Sequence, residues 1–448
     1  MRRPGRTAVT AALLAGCAIA LPQTVATADA ATARPLAQAR TERVNTASDG
    51  TQANAESIGA QISADGRFVT FETGATNLVP GATESMRRVY VKDLRTGRTE
   101  LASVASDGTP ADRSSWTTSI SGDGRYVAFD SEAKNLAPNR NPGDGYDVFV
   151  HDRATGRTEV LVENKGAKPA HSSAPSISAD GRYVAFSSNR DDLVPGDTNG
   201  QTDVFVHGRR RGTTTRVSVT SAGAQADGFS VSPVISADGG KVAFLSMSDL
   251  VTPPGEEKAL QRPRARALYV HDLRTGRTQR GAPSLDGGGV AVDGDFALSP
   301  DGRYSLFSSA SDNVVENDTN GRADAFATDL LTGVTRRVSV AADGSQADNS
   351  SYRGAVMSAD NRHVYFLSLA ANLVPGDTNG VEDVFAKDLV TGAVERVSVA
   401  ADGSQANGWS GGPSVDLAGR TLVFGSAADN LVPGDTNKVY DAFVRRLR

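Results

Sequence analysis

One internal repeat constrains this chain more than any other feature. The segment Ile177-Ser178-Ala179-Asp180-Gly181-Arg182-Tyr183-Val184-Ala185-Phe186 recurs, with drift, around Asp65, Asp123, Asp238, Asp301 and Asp360. A seventh copy, Leu417-Ala418-Gly419-Arg420, lacks the aspartate. Successive copies start 58, 57, 58, 63, 59 and 58 residues apart, so seven units cover nearly all of the 448 residues. Units of this size bury their cores against one another rather than alone.

Each unit reads as four short strands. In the third unit these are Ala174–Ser178, Tyr183–Phe186, Val204–Val206 and Thr215–Val219, rich in β-branched and aromatic residues between Gly, Asp and Asn. Asp-Gly joins the first two strands, and Thr-Gly (Thr155-Gly156, Thr332-Gly333, Thr391-Gly392) joins the last two. No stretch beyond residue 30 has sustained helical periodicity. The expected fold is all-β, a seven-bladed β-propeller of four-stranded blades. The last repeat reaches only its third strand, Asp441-Ala442-Phe443-Val444-Arg445, whereas Thr41-Glu42-Arg43-Val44-Asn45 matches the fourth strand Glu395-Arg396-Val397-Ser398-Val399. The N-terminal strand is therefore expected to complete the last blade and close the ring.

The series Ser-x-Asp-Gly-Arg-Tyr-Val-Ala-Phe, Asp-Val-Phe-Val-His-Asp, Thr-Gly and Arg-Val-Ser-Val resembles the WD40-like PD40 repeat of TolB-type propellers, over residues 43–448. The resemblance implies the propeller fold, an exported location, and a binding platform more often than a catalyst. TolB itself has an α/β domain ahead of six blades, so a role in the Tol envelope system does not carry over. Related propellers gate peptidase domains, and no hydrolase domain follows here.

The first thirty residues read as an export signal: Arg2, Arg3 and Arg6, an apolar run from Ala8 to Leu21 too short to span a bilayer, and Ala28-Asp29-Ala30. Residues 31–40 are a short linker and 41–448 the propeller. Leu14-Ala15-Gly16-Cys17 also fits a lipobox, which would anchor the chain through Cys17, its only cysteine. Cleavage after Ala30 would instead leave no thiol for disulfides or metal. It would also remove three arginines and one aspartate, shifting the net charge from −5 to −7. An acidic chain argues against nucleic acid and anionic membrane as partners.

Two loop families should share one face. The second-to-third loops carry Asp197-Thr198-Asn199-Gly200-Gln201-Thr202-Asp203, and the same pattern sets Asp318, Asn320 and Asp324, Asp377, Asn379 and Asp383, and Asp435, Asn437 and Asp441. Three oxygen donors on a tight turn suit calcium, although the twelfth position never supplies the glutamate of an EF-hand. Asx-turn chemistry without metal explains the same residues. In the fourth-to-first loops, Trp116, Phe229, Tyr352 and Trp409 either ring the channel mouth, where they would stack on a sugar or anchor a peptide, or pack between blades. The blade-four loop from Pro253 to Arg266, with Arg262, Arg264 and Arg266, either holds an anionic group or is solvated.

Catalytic patterns fare poorly. Gly408-Trp409-Ser410-Gly411-Gly412 matches a nucleophile elbow, but a strand follows where a helix is needed. His151, His207 and His271 occupy one repeat position in consecutive blades and cannot converge on one ion; His171 and His363 stand alone. Some related propellers are polysaccharide lyases whose metal is held by clustered histidines, a cluster not evident here. The expectation is an exported, non-enzymatic propeller that binds a protein, peptide or envelope glycan through its acidic loop face. The alternative is a polysaccharide hydrolase or lyase with two carboxyl groups of raised pKa at the channel mouth.

Overall fold

The structure is a computed structural model that describes residues 40–82, 84–138, 145–162, 171–251 and 266–447. The export signal with Cys17, nearly all of the linker, and the blade-four loop up to residue 265 lie outside the described residues. The described residues form seven four-stranded antiparallel sheets and no helix. Blade one comprises Ser57–Ile62, Phe68–Thr73, Arg88–Asp93 and Thr99–Leu101, from innermost to outermost. The next five blades repeat this order.

The core follows from the repeat. Valine and phenylalanine of the second strand face their counterparts on the third, which seats one aromatic pair in every blade: Phe71–Tyr90, Phe129–Phe149, Phe186–Phe205, Phe244–Tyr269, Phe307–Phe326, Phe366–Phe385 and Phe424–Phe443. Ring centroids lie 5.5 to 6.2 Å apart. Such pairs add about 0.5–1.5 kcal/mol each beyond the area they bury.

Blade seven combines the two ends of the chain. Ser410–Val415, Thr421–Ser426 and Asp441–Arg446 are completed by Thr41–Arg43, which pairs Thr41 with Arg445 and Arg43 with Phe443. The missing aspartate of the seventh repeat has a substitute: Asp416 accepts from the Arg420 and Thr421 amides at 2.7 and 3.2 Å. Elsewhere a serine and an aspartate share this work, as Ser63 and Asp65 do.

The outermost strands fall about two residues earlier than expected. In blade three the strand is Thr213–Arg216 rather than Thr215–Val219. The cause is Ser218, whose hydroxyl accepts from the Val204 amide at 3.1 Å and donates to Asp203 at 2.5 Å, ending the ladder. The innermost strands are irregular as well. Five contain a bulge, with Gly59, Thr117, Ala174, Ser232 and Gly412 at φ between 46° and 63°. Those of blades five and six shrink to Ala297–Leu298 and Val356–Met357.

Candidate functional site at the channel mouth

The two loop families do meet on one face. Gln225 donates to Thr198 Oγ1 at 2.7 Å, and Gln346 to Thr319, Gln405 to Thr378 and Gln52 to Thr436 repeat the clasp. The acidic loops, however, do not form a calcium site. An arginine of the outer strand lies between their carboxylates. Arg216 is 3.0 Å from Asp197 and 3.6 Å from Asp203. Arg337 takes this place between Asp318 and Asp324, Arg396 between Asp377 and Asp383, and Arg43 between Asp435 and Asp441. The asparagines turn their amide groups to the second carboxylate: Asn199, Asn320, Asn379 and Asn437 donate to Asp203, Asp324, Asp383 and Asp441 at 2.7 to 3.1 Å. The guanidinium is thus the cation of each loop, and these residues do not fit calcium. Among the described residues, no three His, Cys, Asp or Glu side chains are gathered to hold a metal.

The repeated histidines are also accounted for. His151, His207 and His271 bond Thr158, Thr214 and Thr278 at 2.9 to 3.0 Å, and burial lowers their pKa values. Lys92, at the same repeat position, donates to the Thr46 and Ala47 carbonyls of the preceding blade. Ser410 shares a hydrogen bond with Ser426, as Ser115 does with Ser131 and Ser230 with Ser246, so it belongs to a strand clip repeated in other blades.

The aromatic residues fall into two registers rather than one. Trp116 and Tyr352 directly follow Ser115 and Ser351, whereas Phe229 and Trp409 directly precede the equivalent Ser230 and Ser410. Trp116 and Trp409 pack on rings within their own blades. Trp116 sits edge-on to Tyr146 at 5.3 Å, and Tyr146 leads on to His171 at 5.6 Å. Trp409 stacks on Tyr440 at 4.4 Å and keeps 47% of its surface exposed. Phe229 faces the Arg266 guanidinium at 5.4 Å, and Tyr352 is half-buried beside the exposed Arg353.

Tyr146, Glu382 and Tyr440 were not singled out from the sequence. Each immediately precedes the third strand of its blade, and each carbonyl accepts from the first inner-strand serine of the next blade at 2.7 to 2.8 Å. That bond fixes these side chains at the blade junctions around the mouth. Tyr440 also lines a cavity of about 460 Å³ with Ile58, Val234, Leu298, Val356 and Pro413 of the inner strands, which is the central channel. Its ring covers Gly425, where a Cβ would come within 2.3 Å of it.

At the second-strand position equivalent to Gly425, blades one and two carry Glu72 and Asp130. Glu72 accepts from the Thr118 amide at 3.2 Å and Asp130 from the Ala174 amide at 2.9 Å, both at inner-strand bulges. Burial raises Glu72 to about 7, with the Asp130 charge adding to the effect and Arg87 opposing it. Burial likewise raises Asp130 to about 6.

No family model matches the chain, and no curated protein matches it. Solved structures do. Oligogalacturonate lyase from Vibrio parahaemolyticus aligns over 92% of this chain and 97% of its own, with 11% identity and a TM-score of 0.54. An oligogalacturonate lyase in complex with manganese aligns over 92% and 96%, with 12% identity and a TM-score of 0.52. The chain is a seven-bladed β-propeller. TolB from Acinetobacter baumannii is also among its structural neighbours, at 14% identity over 89% of this chain and 81% of that one, with a TM-score of 0.38. Likeness at these identities shows the fold alone. Among the described residues of the propeller, no helix is long and apolar enough to cross a membrane.

Proposed function

We propose that this propeller is an exported binding scaffold that takes a protein, peptide or envelope glycan at its channel mouth, on the face of the second-to-third loops. The observation that carries this reading is the Trp409–Tyr440 stack, a half-exposed aromatic platform over an open channel. Rigid sheets hold such a platform in place at little entropic cost on binding. Charge reversal of the acidic loops is a poor test, because it would break the buried ion pairs. The informative variant combines Trp116→Ala with Trp409→Ala, assayed on glycan and peptide arrays. Binding by the wild type that falls about tenfold in the folded variant supports the reading; unchanged binding refutes it.

A second reading, a polysaccharide hydrolase or lyase, is favoured by one observation: Glu72 and Asp130 are adjacent-blade carboxyl groups with raised pKa values. Their hydrogen bonds to the bulge amides offer a structural reason for both. Product release from a glycan panel by the wild type, abolished in Glu72→Gln, would establish the enzyme.

A further inference from the structure

The junction of blades six and seven gathers four side chains of different chemistry. Trp409 stacks on Tyr440 and keeps nearly half of its surface exposed. Glu382 is half-buried, and its Oε1 is fully buried with no hydrogen-bond partner. Arg353 is exposed on a left-handed turn, with φ of 70° followed by Gly354 at 44°. Burial raises the pKa values of Glu382 and Tyr440, the Glu382 charge adds to the shift of Tyr440, and the Arg353 charge opposes both.

We propose that this junction binds a neutral pyranose unit of a glycan, its C–H face on the exposed surface of the Trp409 indole and its hydroxyls bonded to Glu382 and Arg353. The proposal rests on the reading that ligands bind at the channel mouth, and it names the class of ligand. Charge selects it. A uronate would be brought against Glu382, and an ammonium or guanidinium group against Arg353. A vicinal diol, which both donates and accepts, matches a carboxylate on one side and a guanidinium on the other. Gly425 leaves room for the Tyr440 ring, and the second strands of the other six blades carry a side chain at that position.

Hydroxyl donation favours the ionised carboxylate, so affinity rises with pH. Burial holds Glu382 at about 7, with Arg353 pulling the other way. Binding is therefore stronger at about pH 8 than at about pH 5.5, where the carboxyl is protonated. The reporter is intrinsic, because the chain has 2 tryptophans. In W116F, Trp409 is the sole tryptophan, and its emission is titrated with neutral gluco-, manno- and chito-oligosaccharides, with oligogalacturonate, and with a lysine-rich peptide.

The expected result is a saturable emission change with at least one neutral oligosaccharide, weaker by about tenfold or more in Glu382→Ala. Glu382→Gln should keep much of the affinity and lose its pH dependence. Calorimetry on the unsubstituted protein guards against a fault in W116F. The proposal is overturned if no neutral oligosaccharide saturates at millimolar concentration, or if the uronate or the peptide binds as tightly. W409F, which leaves Trp116 as reporter, separates the two readings. A response there with Trp409 silent keeps the mouth as a binding face and removes this site; silence from both removes both.

Discussion

At the scale of single residues, the acidic loops show how one partner changes the meaning of a motif. Read alone, Asp-Thr-Asn-Gly-x-x-Asp is a cation loop; read with the outer strand, it is half of an ion pair. The outer-strand arginine occurs in all four blades that carry the loop, as Arg43, Arg216, Arg337 and Arg396. Leu101 and Val160 stand there in blades one and two, which lack the loop, whereas blade four, which also lacks it, keeps Arg280 and pairs it with Asp249 instead. That every loop-bearing blade has this arginine was legible in the repeat but is invisible when the loop is read as a local pattern. Arg396→Met leaves Asp377 and Asp383 buried without a counter-charge and should cost about 3–5 kcal/mol in a denaturation melt. Added calcium should leave the melting temperature of the unsubstituted protein unchanged, and a clear rise would overturn the arginine assignment. Similarly, Arg67, Arg125, Arg303 and Arg362 pair with the aspartate ending the third strand at 2.6 to 2.7 Å. In blade three that position is Gly208, and Arg182 turns to Asp180 instead.

At the scale of elements, the innermost strands depart most from expectation. Alternation in the sequence signals a strand but not a bulge, because the extra residue is Gly in only two of the five bulged strands. The acceptor that stabilises the bulge comes from the preceding blade: Glu72, Asp130 and Ser187 serve the next inner strand. This role gives stability a pH dependence. Glu72 has a folded pKa of about 7, so the folded protein holds a proton that the unfolded chain releases near its ordinary carboxylate value. Stability therefore falls as pH rises between these values, by at most about 3 kcal/mol. Glu72→Gln keeps the acceptor for Thr118 and removes the charge; its melting temperature should exceed that of the wild type at about pH 8 and match it at about pH 4. Gly425→Ala makes a separate prediction. A methyl group there displaces Tyr440, so Trp409 emission should shift to the red, with a stability loss of about 1–3 kcal/mol from overpacking.

For the whole molecule, the architecture was legible because seven copies state it seven times. Blade number, strand number and the N-terminal closure all follow from spacing alone. The mouth was less legible because it is made where the repeats differ. Glu382 and Tyr440 sit at a position that reads Arg87, Tyr146, Thr202, Arg266 and Ala323 in the other blades, and such variation signals location but not chemistry. Deleting Thr41–Arg43 exposes the edge of the third strand of blade seven and leaves Asp435 and Asp441 without Arg43. Calorimetry should then show a loss of at least about 3 kcal/mol, and light scattering a tendency to associate through the open edge. Closure has a further consequence in time. Thr41 and Arg445 become neighbours across nearly the whole length of the chain, whereas every other strand pairing is made within one repeat. Local pairings can form as soon as their repeat is available, but this one must wait for the last strand. Refolding should thus pass through an unlatched ring, and a protease pulse early in refolding should cut near Arg43 well before it ceases to cut elsewhere.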